Sequence, residues 1–94
     1  MNGTSQQPDT KPGLYYVSAM NETGRKWVPL LGPFRDNHAA ALAKVDDVRT
    51  LACELDPRGT WWSYGTVRID HQEQPPVGRL NGHFADVRTK ISVH

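Results

Sequence analysis

Gly32–Asp56, GPFRDNHAAALAKVDDVRTLACELD, is the stretch from which the rest of the chain takes its order. Gly32-Pro33 makes a tight corner at a strand end. Asp36 or Asn37 can accept a hydrogen bond from a free first-turn amide, and Asp36 also complements the positive end of a helix dipole. Apolar residues then fall at Ala41, Leu42, Val45, Val48, Ala52 and Leu55, close to the i, i+3, i+4, i+7 spacing of one buried face. Lys44, Asp46, Asp47, Arg49, Thr50 and Glu54 mostly take the opposite side. Ala39-Ala40-Ala41 favours helix and permits close packing on a sheet. Pro57 and Gly59 end the run. One long amphipathic helix is expected here.

Upstream, Leu14–Met20 (LYYVSAM) has the aromatic and β-branched character of a strand. Asn21–Gly24 is a turn, with Gly24 free to take positive φ. Arg25–Leu31 returns as a second strand, and Pro29 assigns it to a sheet edge or a bulge. Downstream, Thr60–Ile69 alternates as a third strand. The order hairpin, helix, strand gives an α+β fold, a single ββαβ domain. Its one helix packs on a three- to four-stranded, mostly antiparallel sheet. Tyr15, Val17 and Ala19 point one way, and Leu14, Tyr16, Ser18 and Met20 the other; which set faces the helix stays open.

The ends read differently. Pro8, Pro12 and Gly13 mark residues 1–12 as a disordered lead, and residues 13–70 form the core domain. Pro75, Pro76 and Gly78 mark residues 71–94 as a linker and C-terminal segment, with Val87–Val93 alternating well enough for a fourth strand. Ninety-four residues accommodate one domain. The charge of +1 creates no global field toward nucleic acid or anionic membrane. Cys53 is the single cysteine, which excludes an internal disulfide and suits a reducing, cytoplasmic setting. No run approaches the roughly 20 apolar residues of a membrane span.

Reactive chemistry finds little support. His38, His71, His83 and His94 are each more than four residues apart, without the short spacing that converges imidazoles on a metal. Cys53 sits among Ala52 and Leu55 as a small apolar residue, and Asp46 and Asp47 diverge by about 100° around the helix. No phosphate-cradling glycine loop is present. The expectation is a non-enzyme without cofactor or metal.

The aromatic residues carry more. Tyr15, Tyr16, Trp27, Trp61, Trp62 and Tyr64 all lie on the expected strands, and one helix covers one face of a sheet. Adjacent aromatics at 15/16 and 61/62 therefore send rings to the uncovered face. Tyr16, Trp27, Trp62 and Tyr64, with Arg68, are the expected contact residues for a protein partner or for a homodimer; the remaining alternative is that the C-terminal segment folds back over that face. Nucleic acid is the alternative partner: bases would stack on these rings beside Arg25, Lys26, Arg35, Arg68, Arg79, Arg88 and Lys90. The near-zero charge counts against it.

Residues 14–69 also resemble small accessory proteins of proteobacterial phages, plasmids and integrative elements. Gly32-Pro33-Phe34 before the alanine-rich helix and Trp62-Ser63-Tyr64-Gly65-Thr66 after it carry the likeness. It implies a protein that binds or inhibits a host factor such as a defence complex. The Gly-Pro-Phe strand end also resembles one half of a peptidoglycan-binding SPOR domain, which implies glycan binding. The second half, an export signal and an anchor are not seen.

Overall fold

A computed structural model describes residues 8–21, 24 and 26–84. It is an α+β fold built on a three-stranded antiparallel sheet. β1 (Leu14–Met20) is central, flanked by β2 (Trp27–Arg35) and β3 (Ser63–Ile69) in the order β2-β1-β3. Two helices, α1 (His38–Ala43) and α2 (Val45–Leu55), link β2 to β3. β2 and β3 are therefore parallel to each other with β1 between them.

The expected single helix is broken at Lys44, whose φ of −101° and ψ of −3° end α1 and open α2. The apolar spacing survives the break: Ala41 on α1, and Val48 and Ala52 on α2, are buried. Asn37, not Asp36, is the N-cap, its side chain accepting from the Ala40 amide at 3.0 Å. Asp36 instead takes a left-handed φ of 52° and pairs with Gly13. Its amide donates to the Gly13 carbonyl at 2.7 Å, and its Oδ1 accepts from the Gly13 amide at 2.8 Å.

β2 does not stop at Gly32-Pro33, as the sequence predicts, but runs on to Arg35. Two register shifts let it do so. Leu30 is inserted between the pairs Ser18–Pro29 and Val17–Leu31, and Gly32 and Pro33 bulge opposite Tyr16. The first shift lets the consecutive Leu30 and Leu31 both reach the core. At the second, Gly32 has φ of 136°, and a β-carbon there would lie 2.8 Å from the Tyr15 carbonyl oxygen, so only glycine fits. β3 begins three residues later than expected, because Pro57–Trp61 forms a 3-10 turn capped by Asp56.

Tyr15, Val17 and Ala19 are the set that faces the helices. With Leu30, Leu31, Phe34, Ala41 and Val48 they form the buried core. His38 stacks on Tyr15 with ring centroids 4.7 Å apart. Its Nδ1 accepts from the Asp9 amide at 2.7 Å, which leaves Nε2–H to donate to Thr66 Oγ1 at 2.8 Å. The lead is thereby tied down: residues 8–12 lie against the fold, and the Tyr15 hydroxyl donates to the Lys11 carbonyl. Residues 1–7 lie outside the described residues.

The second sheet face is covered at Tyr16, and residues 71–84 are not a free linker. His71 donates to Asp36 at 2.7 Å, and the Tyr16 hydroxyl donates to the Pro76 carbonyl at 2.6 Å. The Gly78 and Leu80 amides then donate to the Gly32 and Leu30 carbonyls along the outer edge of β2. Buried Asn81 locks this strap by a reciprocal amide pair: its Oδ1 accepts from Gly32 N–H, and its Nδ2 donates to Gly32 C=O. The expected strand Val87–Val93 lies outside the described residues. No helix among them is long and apolar enough to cross a membrane.

Candidate functional site

The expected contact residues do not share a surface. Tyr16 is only 2% exposed, under the strap. Trp62 and Tyr64 belong to the helix face, where both pack on the core. The Tyr64 hydroxyl donates to the Gly59 carbonyl at 2.9 Å. Burial and the neighbouring Cys53 thiol push its pKa up to about 12. Arg68 is anchored by the Pro12 carbonyl at 3.0 Å and the Asp70 carboxylate at 3.2 Å. Trp27 alone lies on the second face with substantial exposure, 38%, and its ring edge approaches Gly65. The open aromatic sheet face expected from strand alternation is thus absent. Its premise failed because the strap, not a partner, covers Tyr16.

A different feature gathers apolar surface. Where α2 ends, the helix face opens into a cleft of about 300 Å³. Its walls are Val28 and Leu30 of β2, Ala52 and Leu55 of α2, and Trp62 and Leu80 from the segments on either side. Leu55 is 55% exposed, although its spacing on α2 predicts a core position. It lies past the sheet's cover, on the last turn of the helix. Trp61, next to Trp62, is 74% exposed.

Two ionic groups line the cleft. Asp56 accepts from both the backbone and the guanidinium of Arg58, which hold its carboxyl below the usual carboxylate range. Arg79 comes from the strap, where its amide donates to the Pro29 carbonyl. An apolar channel with one cation and one anion in its lining suits an amphipathic polypeptide segment. Of the expected residues only Trp62 lines this cleft. Leu55 and Leu80 were missed, Arg79 entered only among the basic residues of the nucleic-acid alternative, and an apolar residue on the last helical turn before a proline is the one signal that pointed there.

Among the described residues, no three His, Cys, Asp or Glu side chains gather closely enough to hold a metal ion. Comparison with known proteins yields no match: neither a family model, nor a curated protein, nor a solved structure is similar to this chain.

Proposed function

We propose that this protein is a non-catalytic protein-binding module, and that its partner places an apolar side chain or short segment in the cleft at the end of α2. The supporting observation is the exposed Leu55 beside Trp62 on an apolar cleft of about 300 Å³. Fixed aromatic and aliphatic walls around a concave site give affinity at low ordering cost. The resemblance to mobile-element accessory proteins points this reading toward a host protein as the partner.

A displayed library of random peptides, panned on wild type and on Leu55→Glu, tests it. Leu55 is exposed enough for the substitution to leave the fold intact, which circular dichroism checks. Wild type is expected to enrich peptides with large apolar anchors, and Leu55→Glu to bind them about tenfold or more weakly. No enrichment, or equal binding by both proteins, defeats the proposal.

A further inference from the structure

The two edges of the sheet differ in kind. The outer edge of β2 contains Pro29 and Pro33, lies in a strand with two register shifts, and is paired with residues 78–80. Each of these blunts an edge against pairing with another chain. β3, SYGTVRI, has no proline, no lysine and no register shift against β1. Among the described residues, β1 is its only strand neighbour. A regular edge of seven residues therefore presents outward N–H and C=O groups over about 23 Å.

We infer that this edge pairs antiparallel with β3 of a second copy of the chain, joining two three-stranded sheets into one continuous sheet. Full overlap of Ser63–Ile69 with itself puts Thr66 on the two-fold axis. Ser63 then faces the partner's Ile69, Tyr64 faces the partner's Arg68, and Gly65 faces the partner's Val67. The one charged residue of the strand meets a ring rather than its own copy, so no like charges are opposed. Gly65 carries no side chain, and Trp27 comes within 3.8 Å of where its β-carbon would be. Facing Val67 of the partner subunit, this position offers room for a branched side chain beside the Trp27 ring. Hydrogen bonding along this edge would alone fit a foreign strand or residues 85–94 equally well. The match of Gly65 to Val67 and of Tyr64 to Arg68 is what a second copy adds. No residue of β3 lines the α2 cleft, so this surface is independent of the function proposed above.

The test is light scattering over a concentration series from ~1 µM to ~500 µM, run on wild type, Val67→Lys and Leu55→Glu. Wild type is expected to pass from monomer to dimer mass, and Leu55→Glu to follow it. Val67→Lys places two ammonium groups on one face beside the axis and should weaken the dimer about tenfold or more. A second measurement needs no variant. In a mixture of labelled and unlabelled wild type, intermolecular Overhauser contacts should connect Gly65 with Val67. A wild-type monomer at every concentration overturns the inference. So does a dimer lacking those contacts, or one that Leu55→Glu dissociates and Val67→Lys does not.

Discussion

Asp36 shows how one side chain joins three parts of the chain. The left-handed turn at its backbone aims Oδ1 at the Gly13 amide, and His71 reaches the same oxygen from beyond β3. The Gly13 bond holds the carboxyl below its ordinary 3.8, burial pushes back, and the His71 bond lowers it further. A carboxyl depressed in the folded state contributes stability that is present above its unfolded pKa. That contribution is lost as pH falls through the folded value. Asp56, depressed by Arg58, adds in the same direction. The thermal midpoint of wild type should therefore fall below about pH 4. Asp36→Asn keeps an acceptor for Gly13 and tolerates positive φ, but it has no carboxyl to protonate. Melting curves across the acid range should show a shallower fall for this variant. An unchanged slope would mean that Asp36 does not carry the acid sensitivity.

Among the elements, the strap of residues 71–84 decides what kind of surface the sheet has. Gly78 shows how closely it packs. A β-carbon there would lie 2.6 Å from Leu31 Cα and 2.7 Å from the Leu30 carbonyl carbon, both backbone atoms that cannot yield. Gly78→Val should lift the strap. Asn81→Ala should leave the Gly32 N–H without its partner and the Gly32 C=O with the Gly78 amide alone, at about 1–3 kcal/mol. Hydrogen exchange reads both. Protection of the Gly78 and Leu80 amides is expected to drop while the β1–β3 ladder keeps its own. If the ladder fails together with the strap, the strap is part of one cooperative unit rather than a separable cover.

The strap was also the least legible element. Pro75, Pro76 and Gly78 have the composition of a linker, and the bonds that dock it join residues 49 and 60 positions apart. No local pattern reports such distances. The helical stretch and three strands were legible because period 3.6 and period 2 are local. The break at Lys44 was not, since the apolar spacing runs through it unchanged. Alternation set Tyr16 apart from Tyr15, but the sequence reading grouped Tyr16 and Trp27 with Trp62 and Tyr64, which pack on the opposite, helix-covered face. Which face each pair occupied, and that a partner was not needed to cover Tyr16, depended on long-range packing.

At the scale of the whole molecule, the three tyrosines report on separate layers. Tyr15 lies between β1 and α1, Tyr16 lies under the strap, and Tyr64 closes the end of α2 against Gly59. Burial is the leading cause that raises each above its ordinary 10.0, with Tyr64 reaching about 12. A phenol raised in the folded state contributes stability that is full below its unfolded pKa. It is lost as pH rises through the folded value. The native state should therefore resist ionisation past pH 10 and give way in the alkaline range that Tyr64 marks. All three phenols should ionise in one step that coincides with loss of far-ultraviolet dichroism. Tyrosinate absorbance, followed upward in pH beside the dichroism, checks this. Tyr16→Phe retains the ring but loses the bond to Pro76, at about 1 kcal/mol. It should reduce the amplitude by a third, one tyrosine of three, and move the step to lower pH. If instead a third of the wild-type amplitude appears early, near the ordinary value, and is absent in Tyr16→Phe, the strap opens independently. The second sheet face would then be accessible below the unfolding transition.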